Sequence, residues 1–303
     1  MIINELKKAL KEKNIKILKS LGQNFLTDEN VLNKIIQVAE LNKNDLVIEV
    51  GPGLGVLTKE LSEKCEQVIA IEKDKKLAEL LKKEIPSPIP SKMGRIPVPQ
   101  MGGVLIPPPD KGGVGGVEIF NGDILKTNIN ELIKKYGHNE KYKLVSNIPY
   151  YITSPVIKLF LENKIQPQVI ILLVQKEVAE RICARPGKLS ILALSVQIYG
   201  KPEIIGYVNK SSFYPEPKVD SAILKIGGIK KEFPDDYYEK IFRIIKIGFS
   251  SKRKKLVNNL SAGLCIDKDR TGKILLETKI DLNARAQELE LEDWKRLVLG
   301  LSR

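Results

Sequence analysis

The sequence predicts an α/β chain built on a doubly wound, mostly parallel sheet, with a small all-α segment behind it. Three observations carry this. Short, almost continuously apolar β-rich runs alternate with amphipathic helical stretches through the first two-thirds of the 303 residues. Such runs suit strands buried on both faces of a parallel sheet. A glycine-rich turn, Glu49-Val50-Gly51-Pro52-Gly53-Leu54-Gly55, follows the first of them and opens a helix. After Gly227-Gly228 the alternation stops and only helical periodicity remains.

Taken in order, strands are predicted at Leu46–Val50, Gln67–Glu72, Val117–Phe120, Tyr142–Ser146 and Val169–Val174. Helices are predicted between them at Val56–Glu63, Lys73–Glu84, Ile129–Tyr136 and Pro155–Glu162, which makes βαβ units. A helix at Leu189–Tyr199 and strands at Glu203–Val208 and Val219–Ile226 complete a first domain, 1–229. The second domain, 230–303, is expected as helices at Tyr237–Phe249, Arg253–Leu260, Arg270–Glu277 and Leu291–Leu301, punctuated by Gly263 and Gly272. Residues 86–116 stand apart, with eight Pro, seven Gly and four charges in 31 residues. That composition cannot pack a core and predicts a flexible or extended insert. It joins a helix to a strand, so it is expected to leave the sheet at the end opposite the carboxyl tips where ligands sit.

Composition narrows the function. Lys and Arg total 50 against 37 Asp and Glu, a net charge of +13. This favours a polyanionic partner. An anionic membrane surface is the rival, but no apolar run approaches the roughly 18 residues of a spanning helix. Met1–Ser20 reads as a Lys-rich amphipathic helix without the apolar centre of a secretion signal. Cys65, Cys183 and Cys265 are isolated and lack metal-ligand spacing, so reduced thiols in a cytoplasmic protein and no metal site are expected. His138, the only histidine, lies in a polar loop, which argues against histidine-based triads.

Gly51, Gly53 and Gly55 allow a tight turn and close backbone approach to a cofactor. Their spacing, G-x-G-x-G with Pro52 inserted, is not that of dinucleotide sites. Glu72 closes the next strand, where a carboxylate can bind both ribose hydroxyls. Asp123, in Asn121-Gly122-Asp123, is placed to meet the amino edge of an adenine. With no pyrophosphate site evident, S-adenosylmethionine fits better than NAD.

Asn147-Ile148-Pro149-Tyr150 leaves the fourth strand. The Asn147 side-chain oxygen and a backbone carbonyl beside Pro149 can accept both hydrogens of an exocyclic amine, and Tyr150 can stack on the base that carries it. Together with the cofactor end this reads as methyl transfer to a nucleobase amino group. Phe213 follows a polar turn and precedes two prolines, so it can project into a cleft or sit as an ordinary core aromatic.

These residues resemble the ribosomal RNA adenine N6-dimethyltransferases. The likeness runs through Gly22-Gln23-Asn24-Phe25-Leu26, the 49–55 turn, Glu72, 121–123, 147–150, Gln175–Arg181, Phe213–Ala222 and Arg285–Leu289. It covers nearly the whole chain except 86–116. The resemblance implies a Rossmann-like, S-adenosylmethionine-dependent methyltransferase domain with a helical C-terminal RNA-binding domain. It further implies that Asn24 and Leu26 cover the methionine and sulfonium side and that Gly51 and Gly53 underlie the cofactor. Glu72 then holds its ribose and Asp123 its adenine. Asn147, adjoining the cofactor, binds the target amine, and Tyr150 and Phe213 stack on the flipped base. The short Arg185–Lys188 connection and the insert depart from the pattern.

The expected target is two adjacent adenines in the 3′-terminal hairpin loop of small-subunit rRNA, with the small subunit or its precursor as partner and a monomer as the working form. The alternatives are a large-subunit rRNA adenine methyltransferase conferring macrolide resistance and an assembly factor acting mainly by binding. Lys252, Arg253, Lys254 and Lys255, with Arg243 and Lys246, make a basic stretch without an acidic residue, suited to phosphate contact. Lys7, Lys8, Lys11, Lys13, Lys16 and Lys19 form a second candidate.

Overall fold

The computed structural model describes residues 8, 10–13, 15, 17–18, 21–85, 116–137 and 140–301. The insert lies outside them apart from Gly116, as do His138, Lys7, Lys16 and Lys19. By its internal contacts the chain divides into two compact units, Met1–Lys176 with Glu203–Ile229 and Glu177–Pro202 with Lys230–Arg303. Among the described residues no helix is long and apolar enough to cross a membrane.

The first unit opens with β1 (Phe25–Leu26) and α1 (Glu29–Ala39), the latter capped by Asp28, whose carboxylate accepts from the amides of Asn30 and Val31. The alternation then follows as β2 (Leu46–Val50), α2 (Val56–Lys64), β3 (Gln67–Glu72), α3 (Lys75–Glu84), β4 (Gly116–Asn121), α4 (Ile129–Tyr136), β5 (Lys143–Asn147), α5 (Thr153–Glu162) and β6 (Ile170–Gln175). Each of β2 to β6 lies within a residue of its predicted span. The third helix begins at Lys75 rather than Lys73 because Asp74 is its N-cap, accepting from the amides of Lys76 and Leu77. Gly116 belongs to β4, opposite Gln67, so the insert ends one residue earlier than its composition implies.

β2 to β6 run parallel, in the order β4-β3-β2-β5-β6. The apolar runs are as buried as their composition requires: Val47, Ile48, Val68, Ile69, Leu144, Val145 and Ile170 through Val174 are fully shielded from solvent. The sheet continues through β9 (Ser221–Gly227), antiparallel to β6, to β7 (Lys201–Val208). Strand order reverses direction between β2 and β5, which makes their carboxyl tips the crevice of the sheet. A separate ribbon pairs β1 with β8 (Phe213–Tyr214), with Phe25 opposite Tyr214 and Leu26 opposite Phe213.

The second unit holds most of α6 (Lys176–Ile182), then α7 (Ile191–Gln197), α8 (Asp235–Gly248), α9 (Leu256–Leu264), α10 (Lys268–Glu277) and α11 (Leu291–Leu301). Residues 177–202 thus fall in this unit and not, as the strand–helix alternation predicts, in the first domain. Their bonds within it are specific: Gly187 N–H donates to the Gln287 carbonyl at 2.8 Å, and Tyr199 stacks on Tyr238 at 4.8 Å between centroids. The helix predicted from Arg253 starts at Leu256. Asn259 explains the shift, because its Nδ2 donates to the carbonyls of Gly248 (2.6 Å) and Ser251 (3.0 Å) and holds 251–255 as a turn. Gly263 and Gly272 lie inside α9 and α10 rather than between helices. A Cβ on Gly263 would come within 2.4 Å of Ile247 Cγ2, so this glycine lets α9 approach α8 closely.

Candidate functional site

The carboxyl tips of β2, β3, β4 and β5 and the segment 21–26 surround an open cleft. Asn24, Leu26, Gly51, Gly53, Glu72, Asp123, Asn147, Pro149 and Tyr150 all line it. Residues separated by up to 126 positions in the chain therefore share one wall system, as the ends of adjacent parallel strands must.

The glycine turn leaves β2 with Gly51, Gly53 and Gly55 at φ of +68°, +62° and +77°, values that disfavour any residue with a Cβ. Gly55 also packs tightly, since a Cβ there would lie 2.4 Å from Leu81 Cδ2. Glu72 secures the turn from the tip of β3. Its Oε2 accepts from the Gly53 amide at 3.1 Å and its Oε1 from the Asp74 amide at 2.8 Å. Burial raises the Glu72 pKa above the usual carboxylate value, and these amide bonds oppose the shift. Asp123 caps the turn after β4 through the Leu125 amide at 3.0 Å and pairs with Lys73 Nζ at 2.9 Å. That pairing holds the Asp123 carboxyl below its ordinary value.

Asn147 is the last residue of β5, and its Nδ2 donates to the Asn24 carbonyl at 3.1 Å. This bond occupies the amide nitrogen and leaves Oδ1 as the acceptor. Pro149 lies against the glycine turn: its Cδ would be 3.5 Å from a Cβ on Gly51. The Pro149 carbonyl accepts from the Ile152 amide at 3.1 Å, closing the 3-10 turn Tyr150–Ile152. Tyr150 is held by its hydroxyl, 2.6 Å from Ser221 Oγ.

Phe213 does not reach the cleft. It is 2% exposed and packs in the core with Leu26, Leu32 and Ile223. Its apolar ring is sequestered by this packing, so it offers no stacking face to a base. Phe213 stands opposite Leu26 and is buried with it in the core of the sheet, whereas Tyr214, opposite Phe25, clusters with Phe25 and Leu77. Among the lining residues to which the sequence motifs assign no role are Glu49, Lys73 and Tyr151, the last 53% exposed. Adjacency to Glu72 and Tyr150 is the only sequence signal for the latter two.

Glu49 is fully buried and accepts from Thr58 Oγ1 at 2.6 Å. Burial pushes its carboxyl up to about 8; the Thr58 bond opposes this and the Glu72 charge adds to it. A carboxyl whose folded pKa lies above its unfolded one holds its proton more tightly in the native state. Its contribution to stability is therefore present below the ordinary value of 4.5 and lost as pH rises toward about 8. Glu118, pushed up to about 7 by burial, acts with the same sign. Glu49→Gln is thus expected to flatten the fall of Tm between about pH 5 and pH 8 relative to the parent protein. Thermal melts across that range check it, and parallel curves for the two proteins would contradict it.

The basic residues Lys252, Arg253, Lys254 and Lys255 are exposed on the turn before α9, and Arg243 and Lys246 are exposed on α8. Lys255 Nζ donates to Asn283 Oδ1 at 2.6 Å. In the N-terminal candidate, Lys8 pairs with Glu12 at 3.8 Å and Lys13 with Glu84. Among the described residues no disulfide joins Cys65, Cys183 and Cys265.

A family model described as ribosomal RNA adenine dimethylase matches residues 14–93 and 113–302. A Dehalococcoides mccartyi protein named ribosomal RNA small subunit methyltransferase A is 39% identical over 299 residues, covering 98% of this chain and 93% of the relative. A protein of the same name from Clostridioides difficile is 36% identical, covering 97% and 94%. Among solved structures, a dimethyladenosine transferase from Plasmodium falciparum aligns with a TM-score of 0.69 at 25% identity, covering 92% of this chain and 97% of that one. The 23S rRNA methyltransferase ErmE aligns with a TM-score of 0.67 at 24% identity, covering 92% and 100%, a likeness of fold.

Proposed function

The chain belongs to the ribosomal RNA adenine dimethylase family, S-adenosylmethionine-dependent methyltransferases of rRNA, and from that premise we propose its target and the roles of its residues. The target is N6 of two adjacent adenines in the 3′-terminal hairpin loop of small-subunit rRNA, methylated in the cytoplasm during subunit assembly. The observation that carries this is the 36–39% identity, over nearly full length, to proteins named for the small subunit. The likeness to ErmE is one of fold and favours no large-subunit target.

The cleft suits the cofactor. A buried carboxylate, Glu72, is oriented by two amides and keeps lone pairs for a ribose diol. Asp123 stands one strand further out for the adenine amine, and binding there competes with its Lys73 pair. Asn24 and Leu26 close the methionine side. When bound, S-adenosylmethionine supplies a sulfonium methyl for direct transfer to nitrogen. The task left to the protein is to hold and activate the amine.

Adenine N6 is a poor nucleophile because its lone pair is delocalised into the ring. Asn147 Oδ1, set by the Nδ2 bond to Asn24, accepts one N6–H. A backbone carbonyl beside Pro149 accepts the other. Two acceptors on the amine favour a pyramidal nitrogen and free the lone pair, and their dipoles face the positive charge that develops there. Holding amine and methyl in line contributes the rest. The nitrogen, positively charged once it carries the methyl, then releases one N–H proton to solvent through the open cleft. Tyr150, fixed through Ser221, offers the stacking face that offsets extrusion of the base. Methyl transfer to undermethylated small subunits, large subunits and naked RNA, with the modified base mapped, tests the target. Label confined to large-subunit RNA would overturn it.

The turn at 252–255 grips phosphate in this reading. Replacing Lys252, Arg253 and Lys254 by Gln is expected to weaken RNA binding about equally across sequences. The slope of log Kd against log salt is expected to flatten by roughly 0.7–0.9 for each phosphate that these side chains no longer neutralise. An unchanged slope would remove the cluster from the interface.

A further inference from the structure

Two strand tips bring together the donor turn and the amine-binding asparagine, yet the β2–β5 ladder does not reach those tips. Its register pairs Val47 with Lys143 and Ile48 with Leu144 and stops there, although β2 runs to Val50 and β5 to Asn147. On its other side β2 stays paired with β3 through Val50 and Ile71, and the Gly51 amide still donates to the Ile71 carbonyl at 2.8 Å. Amides alternate sides along a strand, so Val50 presents its N–H and C=O toward β5, where the ladder has ended.

One side chain fills the opening. Ser146 Oγ accepts from the Val50 amide at 3.1 Å and donates to the Val50 carbonyl at 2.5 Å. Ser146 is 1% exposed and Val50 2%, so water does not substitute freely for this hydroxyl. Val50 immediately precedes Gly51 and Ser146 immediately precedes Asn147. We infer that Ser146 is a positioning residue for methyl transfer, a hydroxyl clip that sets the separation between the glycine turn and Asn147 where the sheet itself no longer does.

The clip touches neither the cofactor residues Glu72 and Asp123 nor the base-stacking Tyr150, so its loss acts on alignment rather than on binding. It rests on the methyl-transfer reading for its kinetic consequence only. Ser146→Ala in the full chain is expected to lower single-turnover methyl transfer to undermethylated small subunits by about 10- to 100-fold, the scale of an ångström's misplacement. Cofactor Kd and the KM for subunits are expected to stay within about 3-fold, and Ser146→Thr, which keeps the hydroxyl, to recover most of the rate. Amide exchange supplies a readout independent of activity: Val50 N–H is expected to exchange at least about 10-fold faster in Ser146→Ala but not in Ser146→Thr. If the parent protein methylates no ribosomal RNA, the functional reading fails, and the exchange data still decide the clip. Unchanged Val50 exchange in Ser146→Ala overturns the inference. So does a rate within about 2-fold of the parent, or a rate loss matched by equal losses of cofactor affinity and Tm.

Discussion

Asn147→Ala is expected to lower the rate of methyl transfer by about 10²- to 10³-fold, the cost of removing one preorganised dipole from a reacting centre. Cofactor affinity is expected to change little, because Glu72, Asp123 and the glycine turn remain. The structure sharpens the reason. Asn147 Nδ2 is tied to the Asn24 carbonyl at 3.1 Å, so the side chain is already aimed before any base arrives. Asn147→Asp keeps an acceptor but turns an oxygen onto that carbonyl, and a partial recovery at most follows. Single-turnover rates alongside calorimetric titration with the cofactor separate the two effects. Near-normal turnover in Asn147→Ala would show that the amine is held elsewhere.

Glu72→Ala carries the second large effect, on binding instead of rate. The Glu72 carboxylate joins the Gly53 amide to the Asp74 amide, so one substitution removes the diol acceptor and a brace of the glycine turn. Hydrogen bonds to a charged group contribute about 1.5–3 kcal/mol each. Loss of about 1.4–2.7 kcal/mol corresponds to a cofactor Kd raised about 10- to 100-fold. Glu72→Gln offers no rescue, because an amide would set one of its own N–H groups against Gly53 or Asp74. Calorimetry on Glu72→Ala, with Tm as the folding control, gives the answer, and an affinity within about 2-fold of the parent would move the ribose elsewhere.

The strands and most of the site were legible in the chain because both follow from local chemistry. Leu46–Val50 and Ile170–Val174 are apolar at every position but Glu49, which is the pattern of strands shielded on both faces. Glycines at 51, 53 and 55 announce a turn that a side chain would strain. Helix ends were less visible, and Asp74 and Asn259 each moved a boundary by hydrogen bonds that periodicity does not register.

What the chain alone determined is the α/β order, the residue types at each strand tip and so the class of chemistry. Those depend on spacing and side-chain identity within a few positions. Pairing across long distances decided the rest. Packing against Leu26, Leu32 and Ile223, which are remote in the chain, turned an aromatic expected in the cleft into core. The early end of the β2–β5 ladder gave an ordinary serine its place between the two halves of the site. Neither can be read from 26, 50, 146 or 213 separately, because each depends on which part of the chain lies against it, and only the folded structure supplies that neighbour.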